Sequence, residues 1–280
     1  MRVVKRAFQR TLAALGLQII RSSDTRVRYE CFVNLAKAYE ERLSDAKKPV
    51  PPNDNRPKLL ARLLGTPPAE AYFIVQGLAQ CGSVDGDVCE FGVAQGETSA
   101  FIANEIAPFT KKILHLFDSF EGLPSPSERD QLKDDIFSLG CMDAYRGSMS
   151  YPEDMVRARL EALPFPAQRY VIHKGFIEQL LHEDGRLPQK VSFAYVDFDL
   201  YESTQVTLEY LDHVTPHGAV IIVDDYDFFS SGPKAAVDEF VEAKRSSETV
   251  YECYVPSPCY GRFAVLTKTQ RTKESCSPEP

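Results

Sequence analysis

The sequence has no apolar run approaching the roughly 18 residues that a membrane-spanning helix needs, so a soluble chain without stable membrane insertion is expected. It has no basic excess either. The 32 Lys and Arg residues stand against 40 Asp and Glu, a net charge of -8 that repels a phosphate backbone and excludes nucleic acid as the partner. It has no Cys-x-x-Cys pair. Its seven cysteines, at 31, 81, 89, 141, 253, 259 and 276, are scattered in a chain too long to need disulfide staples, which implies reduced thiols and a cytoplasmic location. None of the five histidines, at 115, 173, 182, 213 and 217, has the spacing of a zinc motif.

What is present is ample apolar content. With 44% hydrophobic residues, 280 residues can fill a globular core, as one large domain or as a core with a helical annex. The first 23 residues carry Arg2, Lys5, Arg6, Arg10 and Arg21 with no acid, and apolar Val4, Phe8, Leu12, Leu15 and Ile19. Such a basic amphipathic helix binds a membrane surface, acts as a presequence, or docks on its own or a partner subunit, and docking is the favoured expectation. Tyr29, Phe32, Val33, Ala36, Tyr39 and Leu43 repeat at three and four residues, which predicts a helix capped by Ser23 or Asp24. A proline-rich break follows at 49–57. Thr66 before Pro67 predicts an N-cap opening a further helix through Gln80.

From Gly86 the pattern changes. GDVCEFG (86–92), ILHLFD (113–118), RYVIHKG (169–175), SFAYVD (192–197) and AVIIVDD (219–225) read as strands alternating with helical segments. That alternation predicts βαβ units, a parallel sheet covered on both faces, and ligands beyond the carboxyl ends of its strands. YECYVPSPCYGRFAVLTK (251–268) predicts an antiparallel hairpin at the sheet edge, followed by a frayed polar tail. The polar stretch between Pro124 and Pro152 is too long for an ordinary connector and reads as a lid or substrate wall, or else as a disordered loop.

The strand ends carry acids and glycines. In EFGVAQGETS, Glu90 ends a strand, Gly92 and Gly96 let the backbone turn, and Thr98 or Ser99 is placed to cap the next helix, presenting bare amides to a cofactor. The spacing is Gly-x-x-x-Gly and lacks the third glycine that packs a dinucleotide, which disfavours NAD. Asp118 stands where nucleotide-binding sheets place an acceptor for ribose hydroxyls, or else caps a helix at SFEGL. Gly175 and Phe176 offer close backbone approach and an aromatic face suited to a flat base such as adenine.

Asp197, Asp224 and Asp225 end neighbouring strands, and like charges so close would repel and raise one another's pKa. A hard divalent cation with oxygen ligands, Mg²⁺ or similar, removes that penalty. Whether Asp199 joins the ligands or acts as a base depends on the turn after the strand.

The order DVCEFGVAQGETS, FDSFEGLP, VDFDLYEST, GAVIIVDDY, KAAVDEF resembles the macrocin O-methyltransferase family across about residues 84–245. The resemblance implies a Rossmann-like class I methyltransferase fold, S-adenosylmethionine as donor and a Mg²⁺-dependent methylation of a sugar hydroxyl. Carried across, it implies Glu90, Gly92 and Gly96 near the methionine part, Asp118 and Ser119 at the ribose, and Asp197, Asp224 and Asp225 at the metal. Asp197 or Asp199 is then the general base. Two departures bear on the acceptor: Ala94-Gln95-Gly96 replaces a common Trp-Arg-Gly, and DFDLYES, with Phe198, replaces DGDLYES.

The expected organisation is an N-terminal helical extension over 1–83, a methyltransferase domain over 84–269 and a flexible tail over 270–280. The expected partners are a small-molecule acceptor, a sugar or glycosylated metabolite with two adjacent hydroxyls, and a second copy docked through the N-terminal helices. The alternatives are a nicotinamide-dependent oxidoreductase and a catalytically silent sugar-binding or scaffold module.

Overall fold

The computed structural model describes residues 53–183, 185–247 and 249–270. The helix expected over 29–43, the basic helix before it, any oligomer contact through them and the tail beyond 270 lie outside the described residues. Seven strands form one sheet: β1 (Asp87–Phe91), β2 (Leu114–Asp118), β3 (Tyr170–Lys174), β4 (Val191–Val196), β5 (Val220–Val223), β6 (Thr249–Tyr254) and β7 (Ala264–Gln270). Their order is β3-β2-β1-β4-β5-β7-β6, with the first five parallel and β7 antiparallel to both β5 and β6. All five expected parallel strands and the edge hairpin are found, in a Rossmann-like α/β fold.

The order reverses between β1 and β4, so the topological switch point, where such sheets open a crevice, lies between the glycine loop after β1 and the aspartates after β4. The helices are α1 (Arg56–Leu60), α2 (Pro68–Gln80), α3 (Glu97–Ile106), α4 (Glu153–Glu161), α5 (Ile177–Glu183), α6 (Tyr201–Val214) and α7 (Gly232–Lys244). The last two residues of the proline-rich break open α1 instead of continuing as coil.

The sheet is apolar on both faces. Val88, Leu116, Phe193, Tyr195 and Ile222 pack with α2, α3 and α4, and Cys89, Phe91, Ala194, Val196 and Ile221 pack with α6 and α7. A bulge sets two residues of β4 against one step of β1, which turns Val191 and Phe193 to opposite faces although they are two apart. Arg169 donates to the carbonyls of Ile106, Ala107, Phe109 and Lys112, which satisfies the backbone acceptors at and beyond the end of α3.

The predicted cap at Thr66 is not formed. α2 starts at Pro68 with Pro67 in the cap position and no side-chain cap. From Thr66 a cap could serve only residue 69, because the other candidate, Pro68, has no N–H to offer. The Thr66 hydroxyl instead meets Thr98 Oγ1 at 2.9 Å.

The stretch between Pro124 and Pro152 is an ordered wall. It has its own small core of Met142, Tyr145, Leu200 and Phe229, flanked by Leu123 and Leu132. Asp130 Oδ1 accepts from the Tyr201 N–H at 2.7 Å, so the wall caps α6. Gly232 makes this possible, because a Cβ there would strike Asp130 Oδ1.

Candidate active site

A cavity of about 370 Å³ opens beyond the carboxyl ends of β1, β2, β3, β4 and β5. It brings together nine of the residues singled out from sequence: Gly92, Asp118, Ser119, Gly175 and Phe176 on one side, Asp197, Asp199, Asp224 and Asp225 on the other. Glu90, Gly96, Thr98 and Ser99 do not line it.

On the first side, Gly92 lies at φ 85°, and a Cβ there would collide with the Asp197 carbonyl. Only glycine lets the ends of β1 and β4 approach so closely. Asp118 Oδ2 accepts from the N–H groups of Val93 (2.7 Å) and Ala94 (2.9 Å), while Oδ1 accepts from Phe120 N–H at 2.6 Å. It therefore pins the glycine loop and a local turn at SFEGL, where no helix forms. A carboxylate has about four lone-pair sites, so these three bonds leave one acceptor position unused. Ser119 Oγ accepts from Glu121 N–H at 3.0 Å.

The expected cap of α3 by Thr98 or Ser99 is corrected. Gly96, left-handed at φ 80°, occupies the cap position and no side chain bonds there. A Cβ on Gly96 would press on Val156 of α4, so this glycine serves helix packing. Thr98 is drawn off to Thr66, and Ser99 sits against the Glu90 carboxyl, which lies behind the cavity. Burial pushes Glu90 up to about 8, and its Oε2 has no hydrogen-bond partner. An orphaned buried carboxylate oxygen in this position suits the ammonium group of an amino-acid ligand.

On the second side, β4 ends at Val196 and the chain doubles back through Asp199 at φ 63°. This turn answers the question left open by the sequence, for it returns Asp199 to the side of Asp197. Asp197, Asp199 and Asp225 each offer an oxygen, and these atoms lie within 4.8 Å of one another. Asp225 is itself left-handed at φ 54°. Asp224, named with them from sequence, adjoins the group but is turned inward: Oδ2 accepts from Tyr195 OH at 2.6 Å and Oδ1 from Asp225 N–H at 2.7 Å.

Burial first, then the neighbouring carboxylates, hold Asp197 well above the usual carboxylate range; Asp225 is raised likewise. Burial raises Asp199 to about 7, against a hydrogen bond with Asp225 that lowers it. So many acids cannot all ionise without a compensating cation, and an all-oxygen donor set fits a hard divalent ion.

Sequence reasoning missed Glu70 and Tyr195. Glu70, on α2, is fully buried behind the acids and is raised by burial and by Asp224 and Asp197. A lone acid in the apolar run AEAYFIV was its signal. Tyr195, inside a strand, carried none.

A sequence profile of the macrocin-O-methyltransferase (TylF) family matches residues 74–254. The chain belongs to the macrocin-O-methyltransferase family. It is an O-methyltransferase, and S-adenosylmethionine is the donor that membership implies. Among curated proteins it is similar to the 8-demethyl-8-(2,3-dimethoxy-α-L-rhamnosyl)-tetracenomycin-C 4'-O-methyltransferase of Streptomyces olivaceus, 28% identical over 187 residues, covering 62% of this chain and 70% of the relative. Among solved structures it resembles CalS11, a calicheamicin methyltransferase, with a TM-score of 0.60, 19% identity and 89% and 94% of the two chains covered. It resembles the O-methyltransferase NovP with the same score and identity, covering 89% of this chain and 100% of NovP. At these identities the structures share the fold, that of class I methyltransferases. Membership sets aside both the nicotinamide-dependent oxidoreductase and the silent scaffold.

Proposed function

We propose that this enzyme transfers a methyl group from S-adenosylmethionine, in a divalent-metal-dependent reaction, to one hydroxyl of a vicinal diol on a sugar or sugar-bearing natural product. The convergence of Asp197, Asp199 and Asp225 on one cavity wall carries the reading. The names of the relatives, a rhamnosyl-tetracenomycin methyltransferase and a calicheamicin methyltransferase, support the sugar-bearing acceptor.

Asp197 and Asp225, with Asp224 adjacent, would hold the ion, which when bound would acidify and orient adjacent hydroxyls. S-adenosylmethionine supplies the electrophilic methyl. The Gly92 loop and Asp118 would seat its methionine and ribose parts, Phe176 its adenine, and Glu90 its ammonium group.

A protonated alcohol is a poor nucleophile, so the chain must supply a proton acceptor. Asp199, raised by burial to about 7 in the ion-free site and within reach of the proposed ion ligands, would take that proton, and Asp197 is the neighbouring alternative. The cavity holds donor and acceptor in fixed register, and positioning contributes much of the rate. The test is transfer of a labelled methyl group to rhamnosides with and without a chelator. Chelator-sensitive transfer is expected; undiminished transfer in chelator would remove the metal from the mechanism.

A further inference from the structure

Tyr195 is fully buried, does not line the cavity, and has a hydroxyl that nothing in the proposed reaction uses. A phenol O–H inside a sheet is costly unless it is bonded, so its partners are informative. In β4 it pairs in register with Ile222 of β5, and Asp224 stands two residues further on. The Asp224 N–H still donates to Val196 O at 2.8 Å, so the strand geometry extends that far. Positions two apart in a strand share a face, and the Tyr195 ring thus meets the Asp224 carboxylate from behind the cavity. The O–H donates to Asp224 Oδ2 at 2.6 Å, the length of a charge-assisted bond. Glu70 of α2 is close enough for its charge to act on Tyr195, yet neither Glu70 oxygen takes the proton. A phenol has one proton to give, and Asp224 holds it. Behind the phenol oxygen, Thr66 Oγ1 lies at 3.4 Å and is bonded in turn to Thr98 Oγ1 at 2.9 Å.

Asp224 needs such a partner. The last torsion of an aspartate joins a tetrahedral carbon to a planar one and has no sharp preference, so the side chain alone does not fix where its oxygens point. Here both are held, Oδ2 by the Tyr195 O–H and Oδ1 by the Asp225 N–H at 2.7 Å. Two of about four lone-pair sites are thereby committed to the protein, and the carboxylate plane is set in the cavity wall that it shares with Asp197, Asp199 and Asp225. The Asp225 donor is backbone and persists in any variant, whereas the Tyr195 donor can be removed alone.

We infer that Tyr195 is a positioning residue for the divalent ion: its O–H fixes the plane of the Asp224 carboxylate, and with it the geometry of the acidic bed, without touching ion, donor or acceptor. The inference rests on the divalent-metal reading and adds a residue outside the cavity on which ion affinity depends. Hydrogen-bond partners behind a ligating carboxylate are commonly worth about 10–100-fold in metal affinity.

The test loads the full-length chain with S-adenosylhomocysteine and titrates it with Mn²⁺, the free ion being read by electron paramagnetic resonance. Tyr195→Phe keeps the ring and deletes the O–H. It should weaken Mn²⁺ binding about 10–100-fold, while S-adenosylhomocysteine affinity, read by calorimetry, stays within about twofold. In labelled-methyl turnover the Mg²⁺ concentration for half-maximal rate should rise by the same factor, with kcat at saturating Mg²⁺ within about threefold of wild type. A merely structural role would lower the melting temperature and leave ion affinity alone. Replacement of Tyr195 by 3-fluorotyrosine keeps the O–H, so ion affinity should stay within about twofold of wild type, and the fluorine resonance should move when Mg²⁺ is added.

Mn²⁺ bound equally by wild type and Tyr195→Phe overturns the inference and leaves the divalent-metal reading standing. A parallel fall in S-adenosylhomocysteine affinity overturns it too, since Tyr195 then holds the fold and not Asp224. Absence of Mn²⁺ binding by the wild-type chain overturns the divalent-metal reading and the inference with it. Should Tyr195→Phe not fold, the 3-fluorotyrosine protein decides: a fluorine resonance unmoved by Mg²⁺ at a concentration that saturates turnover overturns the inference.

Discussion

At the residue scale the site is a set of acids in places where an acid is costly. Glu90 is the cleanest case. Its folded pKa, about 8, lies above the ordinary value of 4.5, so the folded chain holds a proton that the unfolded chain releases. Stability from this group is therefore lost as pH rises from about 4.5 to about 8, with a slope of about 1.4 kcal/mol per pH unit. Glu90→Gln should raise the melting temperature of the donor-free enzyme by several degrees at pH 8 and by little at pH 5, and should weaken S-adenosylmethionine binding. A melting series against pH, with donor affinity from calorimetry, checks both halves. Asp199→Asn should lower kcat by about 10²-fold or more while donor affinity stays within about twofold; labelled-methyl turnover reads the first and calorimetry the second.

Most of these residues were legible as types. The acids after β4 and β5 stood out because three charged groups at strand ends are hard to explain as caps. Which of them converge was not legible: the left-handed turn at Asp199, in a non-glycine residue, decides that Asp199 faces Asp197 while Asp224 turns to Tyr195. Tyr195 occupies an interior strand position where any large apolar residue would read alike, and Glu70 lies far from the motifs in sequence.

At the scale of elements, the strand runs were readable because β-branched and aromatic clusters alternated with helical periods, and every one of the expected sheet strands is present. Helix starts were read less well. Thr66, Thr98 and Ser99 are all good caps by type, yet each is engaged sideways in a buried contact, which no local pattern encodes. The cap that matters for α6 comes instead from Asp130, 71 residues away along the chain. Asp130→Ala should destabilise the enzyme by about 1–2 kcal/mol, measured by urea unfolding, and should loosen the wall so that amide exchange over 127–133 quickens. Unchanged exchange there would show that the wall is held by Phe229 and its neighbours alone.

At the scale of the whole molecule, the acids form a reservoir of repulsion that the proposed cation would relieve. Mg²⁺ should raise the melting temperature of the wild-type chain, by mass action on the folded state. Asp225→Asn should raise it without metal and abolish the Mg²⁺ increment; a variant that keeps the full increment would take Asp225 out of the ion's coordination. The fold order and the placing of ligands at the strand ends were legible from the alternation of elements. The cavity's apolar lining was not, since Leu64, Ile136, Phe137 and Phe228 are spread over 164 residue steps and come to one cavity only in the fold.

The contact of Gly92 with the Asp197 carbonyl has a thermodynamic corollary. The loop proposed to seat the donor and the acid proposed to hold the ion share one unpadded seam of backbone, with Asp197 N–H donating to Phe91 O at 2.7 Å. Linkage across such a seam would be reciprocal: whatever factor the proposed ion imposed on donor affinity, the donor would impose on ion affinity. For the proposed ion and donor, any coupling across the seam would read the same from either end, and widening the seam at position 92 would weaken both affinities together.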